Sequence, residues 1–531
     1  LTPTPTVEVK LTPWATPDPL AEGGTLAFSQ RINGNEDIFL LPIGQAEPAR
    51  LTADPAADRD PVWSPDGQSL AFSSRRDGNW EIYVYDFPEG ELRRLTRDLG
   101  FDGHPNWSPD GQWLVYESYR EANLDIYIVK ADLSDGPYRL TQDPALDGSP
   151  VWSPGGRHIV FTSWRTGHPE LFQMSLDAAE DELALNLTNT PDLRERDPAF
   201  APDGRWLAYV EESAGFPMIF ALPLAQDGTI AGPPVSLGQQ GRHPAFAPDG
   251  RSLIYVHHKA GQDFLLGGSP DGWGVAPQVF AGRGRVADVS WTAVNLSPDL
   301  LQGWQPIDQV TDAPLFVEAV APPAEDAPPV ALFDVEVSAP APFLSDQVDQ
   351  SFAGLRQAVI DAAGWDFLGR LDALFVPLAQ KPLPGQSPES WNKAGRAFDF
   401  YYRDALGFEP QVAVVRETDG VDVVWRVFVR AAVQDGSLGE PLRQLPWDFD
   451  ARYGNEPRFY DEGGKLKEAI PSGYYIDFTA LAADYGWERV PADANWRAYF
   501  PAIRFWHFEN RQGLSWEAAM RQLYSDGELA E

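Results

Sequence analysis

Pro61-Val62-Trp63-Ser64-Pro65-Asp66-Gly67-Gln68-Ser69-Leu70-Ala71-Phe72 is the stretch that decides the fold. It returns as PNWSPDGQWLVY (105–116), PVWSPGGRHIVF (150–161), PAFAPDGRWLAY (198–209) and PAFAPDGRSLIY (244–255). Successive copies begin 44, 45, 48 and 46 residues apart. A period of that length, with several short strands in each unit, is the sequence signature of a ring of stacked sheets rather than of one continuous sheet.

Each unit explains itself. Val62-Trp63 is a short apolar inner strand. Pro-Asp-Gly then supplies a fixed φ, a turn-forming carboxylate and a residue free to take φ > 0, which together close a tight hairpin. Leu-Ala-Phe is the second strand. A polar loop leads to a third, Glu81-Ile82-Tyr83-Val84 or Asp125-Ile126-Tyr127-Ile128, and a fourth is edged by Leu95-Thr96, Leu140-Thr141 or Leu187-Thr188. Four strands make one blade, and a blade cannot bury both faces alone, so neighbours must stack.

The first unit starts late, at Thr25-Leu26-Ala27-Phe28, without its inner strand, and Val289-Ser290-Trp291-Thr292 supplies that strand from the far end. The count predicts a six-bladed, all-β propeller over residues 23–295, its last strand completing the first blade so that no sheet edge is left open. The repeated W-S-P-D-G resembles the TolB-type six-bladed propeller.

The 531 residues leave room for further domains, and a hydrophobic content of 43% with 19 Trp is ample for real cores. A net charge of −37 makes nucleic acid and anionic membrane poor partners. Cysteine is absent, which excludes disulfide and thiol chemistry. No apolar run is long enough to span a bilayer. Residues 1–22, LTPTPTVEVKLTPWATPDPLAE, alternate Thr and Pro and read as an extended stalk. The start at Leu1 carries the expectation that a targeting segment has been removed, which places the protein outside the cytoplasm. Of the Asn-x-Ser/Thr sequences at Asn106, Asn186 and Asn295, the first falls inside a blade strand and is a chance match.

Three residues before each inner-strand aromatic stand Asp60, His104, Ser149, Asp197, His243 and Asp288. Equivalent positions of six blades converge on one mouth of the axial channel. Three carboxylates and two imidazoles in a common space can bind a cation or a polar ligand; the plainer reading is that they cap strands and line a wet channel.

Residues 296–345 are an Ala/Pro-rich acidic connector, with strand-like pieces at 315–320 and 330–337. Residues 346–531 mix helix and strand signals, an α+β domain. Asp346–Leu378 has helical apolar spacing interrupted at Gly364. The segment 381–390 is a loop, Val412–Ala431 a hairpin, and Tyr474–Tyr485 and Trp516–Tyr524 are helix candidates.

Within this domain, Ser390-Trp391-Asn392-Lys393-Ala394-Gly395-Arg396-Ala397-Phe398-Asp399 resembles the S-x-H-x-x-G-x-A-x-D motif of the zinc D-alanyl-D-alanine carboxypeptidases, the vancomycin-resistance type included. Arg504-Phe505-Trp506-His507 resembles the family's second motif, in which a glutamate shortly precedes a closing W-H. The resemblance implies three zinc-ligand positions, Asn392, Asp399 and His507, and a general-base position, Arg504. Two of these depart from the family where the chemistry lies. A carboxamide is a weak zinc ligand, and a guanidinium cannot accept a proton. The expectation is a degenerate site with no metal, no cofactor and no catalytic residue, in which Arg504 pairs with Asp399 because a buried carboxylate left unpaired is costly. The plainer reading is that Asp399 and His507 are satisfied polar residues of an ordinary core.

The function expected is therefore a non-catalytic extracytoplasmic binding or scaffold protein. A propeller and a pseudo-peptidase domain would contact protein, peptide or glycan of the cell envelope. The alternative is a zinc-dependent cell-wall peptide hydrolase with altered ligands, recruiting Glu509 or Glu389. A third possibility is a metal or small ligand bound at the propeller mouth alone. Neither a G-x-S-x-G elbow nor a phosphate-binding glycine loop offers other chemistry. The sequence leaves the oligomeric state open.

Overall fold

The computed structural model describes residues 23–529 apart from 179, 192, 214, 260, 269–276, 297–304, 307–313, 321–329, 383–387, 408–409 and 455. The Thr/Pro stalk and half of the 381–390 loop lie outside the described residues.

Six antiparallel sheets form the N-terminal half. Blade 1 is Arg285–Thr292, Thr25–Ile32, Asn35–Pro42 and Ala49–Arg50, with Gln305–Pro306 of the connector added outside. Blades 2 to 6 each take four consecutive strands, with inner strands Asp58–Trp63, Phe101–Trp107, Asp147–Trp152, Glu195–Phe200 and Arg242–Phe246. The late strand completes the ring through the pairs Thr25↔Thr292, Leu26↔Trp291 and Ala27↔Ser290.

The repeated motif is held by its own side chains. Ser64 Oγ accepts from Ser69 N at 2.9 Å and donates to Asp66 Oδ1 at 2.6 Å, and Gln68 N donates to the same Asp66 oxygen. Ser108, Asp110, Gln112 and Trp113 repeat this in the next blade. Gly67 and Gly111 close the turn at φ of 66° and 69°. The Leu-Thr pairs have a purpose too. Thr52, Thr96, Thr141 and Thr188 hydroxyls accept the third-strand N–H of Ile38, Ile82, Ile126 and Leu171, at 3.0, 2.9, 2.9 and 3.2 Å.

The apolar interior is distributed between blades rather than within them. Each of six clusters joins two neighbours: Phe28 with Phe280 and Ile254, Ala27 with Phe72, Ala71 with Tyr116, Val115 with Phe161, Val160 with Tyr209, and Val210 with Tyr255. The amides of Asn106, Asn186 and Asn295 are all engaged, with Trp152 N, Glu170 and Gly24 N.

The C-terminal unit has two four-stranded sheets. One runs Leu371–Ala373, Ala397–Phe400, His507–Glu509, Glu488–Arg489; the other runs Val412–Asp419, Asp422–Arg430, Tyr474–Asp477, Glu440–Pro441. Helix Asp349–Ala363 buries Phe352, Leu355 and Val359 and stops at Gly364, which is left-handed at φ 76°. Beyond it the helical spacing is not continued: Phe367–Gly369 is a single 3-10 turn and Leu371–Ala373 a strand. The predicted helix over Tyr474–Tyr485 divides, because Tyr474–Asp477 is taken as a strand and Asp477 caps the helix Phe478–Asp484 by accepting from Ala480 N. The core is aromatic, with Phe398 stacked on Phe508 at 5.4 Å and flanked by Trp487, Phe352 and Phe478. Leu344 sits in that core and Leu315 and Phe316 pack on it, so part of the connector is built into this unit.

The unit sits on the channel mouth. Trp80, Phe101, Leu124, Leu146 and Trp164 of blades 2 to 4 share a cluster with Ala431, Leu445 and Tyr474. Tyr119 Oη accepts from Gly473 N at 2.7 Å. Arg59 donates both terminal nitrogens to Glu440 at 2.9 and 2.7 Å, and Arg31 meets Asp484 at 2.5 Å.

Ring closure by a single late strand predicts that Trp291→Ala costs about 3–5 kcal/mol. Thermal unfolding of the full chain reads this out, beside Leu185→Ala, whose exposed side chain should change stability by less than about 0.5 kcal/mol.

Candidate functional site

Two polar constellations stand out. The first lies where Ala397–Phe400 pairs with His507–Glu509. The register sets Asp399 opposite His507 and Ala397 opposite Glu509. Residues two apart on a strand share a face, so His507 and Glu509 project together, with Asp399 beside them. His507 Nδ1 contacts Asp399 Oδ1, and His507 Nε2 lies 2.9 Å from Glu509 Oε1. An imidazolium satisfies both carboxylates with its two N–H groups. Burial works to lower the His507 pKa, but Asp399 and Glu509 outweigh it and raise it. Burial likewise works to raise Glu509, and His507 and Arg511 outweigh it and hold it down.

Arg504 does not pair with Asp399. Its guanidinium donates to Glu509 Oε1 at 3.4 Å and lies 3.7 Å from Asp493. The cross-strand register delivers His507 onto Asp399 first, while Arg504 precedes the strand in a left-handed conformation, φ 60°. Arg511 completes the arrangement, its Nε 2.7 Å from Glu509 Oε2. Glu509 thus accepts from three cationic groups. Sequence reasoning missed Arg511, although His507, Glu509 and Arg511 at every second position were its signal.

Asn392 is buried in the 3-10 turn Trp391–Ala394. Its carbonyl accepts from Ser390 Oγ at 3.1 Å and its amide donates to the Leu374 carbonyl at 2.9 Å. The implied zinc set does not fit these residues. The Asn392 amide is used locally, and both His507 nitrogens face carboxylates. Among the described residues no group of three or more His, Cys, Asp or Glu is arranged to hold a metal ion. Beside the constellation opens a cleft of about 300 Å³, lined by Glu389, Trp391, Arg504, Glu509, Arg511, Leu514, Ser515 and Trp516. Arg511 lies 5.4 Å from the centre of the Trp391 ring. Guanidinium groups and indoles around one hollow can hold a carboxylate-bearing peptide or a sugar.

The second constellation is the set of inner-strand positions expected at the channel mouth. Asp60, His104, Ser149, Asp197, His243 and Asp288 all adopt φ between 47° and 56°. Each sits at a bulge where the inner strand slips against the second. A left-handed non-glycine residue costs roughly 1 kcal/mol or more, and here neighbouring blades offset it with hydrogen bonds. Asp60 accepts from His104 N at 3.2 Å, Glu117 from Ser149 N at 2.8 Å, and Asp197 from His243 N at 3.4 Å. His243 Nδ1 lies 3.1 Å from Asp288 Oδ1, and Ser29 Oγ donates to Asp288 at 3.2 Å. Apart from the Ser29–Asp288 bond, which lies within blade 1, these contacts stitch blade to blade.

Burial works to lower the His243 pKa, but Asp288 and Asp197 push it up to about 9. A raised imidazole contributes stability that is whole below its unfolded value of about 6.5 and is lost as pH climbs through about 9. Against wild type, His243→Asn should therefore show its largest drop in melting temperature below pH 6.5, shrinking towards pH 9. A pH-independent difference would contradict this.

Comparison with known proteins addresses the N-terminal half. The family model described as the TolB beta propeller domain matches residues 12–102 and 97–295. No curated protein matches. Among solved structures, TolB from Acinetobacter baumannii is 22% identical, with a TM-score of 0.45 over 50% of this chain and 66% of that one. The putative TolB from Agrobacterium tumefaciens is 19% identical, with a TM-score of 0.38 over 51% of this chain and 99% of that one. With the repeat, the six sheets and a family model spanning more than half of its length, the chain belongs to the TolB β-propeller domain family.

Proposed function

We propose that this is a non-catalytic binding protein acting outside the cytoplasm. On this reading its C-terminal unit is a pseudo-peptidase that keeps a ligand cleft without the reaction, and its propeller is the rigid platform that carries it. The observation that supports it best is the neutralised state of Glu509. A general base needs a carboxylate free to take a proton. Glu509 instead accepts from His507, Arg504 and Arg511 together. The zinc-ligand positions are likewise spent on internal partners, as described above. The cleft beside them keeps the features of a binding site: Trp391 and Trp516 for apolar or sugar faces, and Arg504 and Arg511 for a carboxylate.

The ligand class proposed is a cell-envelope peptide or glycan. The propeller family supports an envelope location.

The test uses a synthetic peptide ending in D-alanyl-D-alanine. Incubation with the full chain, with and without added zinc, should release no terminal residue by mass spectrometry. Calorimetry should show binding that Arg511→Ala weakens about tenfold or more, as expected for a lost charged hydrogen bond. Zinc-dependent release abolished by His507→Ala would establish the hydrolase instead.

A further inference from the structure

A six-bladed disc offers a docking unit six nearly equivalent settings, and the residues that differ from blade to blade on the docking face break that symmetry. The residue just before each left-handed bulge is Arg59, Arg196 or Arg242 in blades 2, 5 and 6. In blades 3, 4 and 1 it is Gly103, Gly148 or Ala287. The ladder sets these six against Ser73, Val210, Val256, Glu117, Thr162 and Ser29 respectively. Glu117 is therefore the one carboxylate among six equivalent positions, and it stands where two successive blades carry glycine.

The glycines make its room. A Cβ on Gly148 would lie 2.7 Å from Glu117 Oε2, and one on Gly103 would lie 2.7 Å from the Phe101 ring and 3.6 Å from Glu117 Oε1. Glu117 is fully buried, its Oε2 held by Ser149 N. Its Oε1 meets Arg443 of the C-terminal unit at 2.6 Å, with His104 Nε2 at 3.9 Å. The Arg443 guanidinium lies 5.1 Å from the centre of the buried Phe101 ring. Three residues earlier, Glu440 receives Arg59 in the opposite sense.

We propose that Glu117, framed by Gly103 and Gly148 and walled by Phe101, is a guanidinium-binding socket at the channel mouth. Arg443 of the same chain is its resident ligand, and this pair selects the rotational setting in which the C-terminal unit docks. A flat, weakly hydrated guanidinium set against an aromatic wall is favoured there over a strongly hydrated ammonium. The acidic mouth is thereby occupied from within the chain.

The experiment is hydrogen exchange by mass spectrometry on the full chain. Arg443→Ala should speed exchange of segments 436–447 and 468–475 at least tenfold while strand Trp206–Ser213 stays protected, which shows that the propeller is still folded. Ethylguanidinium at 10 mM should restore at least half of the lost protection, and ethylammonium at the same concentration should not. Arg443→Lys should behave like Arg443→Ala. Glu117→Gln should give the same loss without rescue, and the double variant should be no worse than either single one. Unchanged exchange in Arg443→Ala, equal rescue by ethylammonium, or additive losses would each overturn the socket. Should Glu117→Gln fail to fold, the comparison of the two added cations on Arg443→Ala and Arg443→Lys decides alone.

Discussion

The ladder between Thr25–Ile32 and Arg285–Thr292 is the constraint on which everything else rests. It joins ends of the propeller so remote that the Trp291 indole donates to the Gly23 carbonyl across 268 residues. Loop-closure entropy grows only slowly with length, and the gain is large: without this strand blades 1 and 6 would each lose a neighbour, and with it one of the six inter-blade clusters. Because the apolar surface lies between sheets, no blade is a core by itself. The closed ring then fixes the blade surfaces, Trp80, Phe101 and Trp164 among them, against which the C-terminal unit packs.

The propeller was legible because each copy of the repeat determines its own geometry. Ser64, Asp66 and Gly67 make a turn with no help from distant residues, and five near-identical copies leave little room for another reading. The Asp/His ring was legible as a set of equivalent positions. What those side chains do was not, because Asp60 meets the backbone of His104 in the next blade, and such contacts need inter-blade geometry that a repeat period does not carry. Arg443 and Glu117 were invisible for the same reason. A glycine pair is informative only once Gly103 and Gly148 are known to flank one carboxylate.

In the C-terminal unit the two motif segments do come together, since Ala397–Phe400 and His507–Glu509 are neighbouring strands. The partner chosen by Arg504 was misjudged. An ion-pair argument from charge alone sees an acid and a base in one pocket, whereas the strand register decides which base arrives. His507 reaches Asp399 directly across the ladder, so Arg504 is left to Glu509 and Asp493. The helix expected over Tyr474–Tyr485 failed similarly at its first turn, because the edge of the second sheet recruited Tyr474–Asp477 against Phe428–Arg430.

The charges of that pocket explain why it would resist conversion to a metal site by a single change. His507, Arg504 and Arg511 face Asp399, Glu509 and Asp493, three positive groups against three negative ones. Glu509 and His507 are almost fully buried, and a buried charge that loses its partner is costly. Placing an imidazole at Asn392 would leave both His507 nitrogens committed to carboxylates and the Arg504 and Arg511 guanidinium groups still beside Glu509. Placing a carboxylate at Arg504 would remove one cation from Glu509 and set a like charge beside it. Each change alone meets a neighbour adapted to the present arrangement, so the charge network resists single substitutions at any of its members.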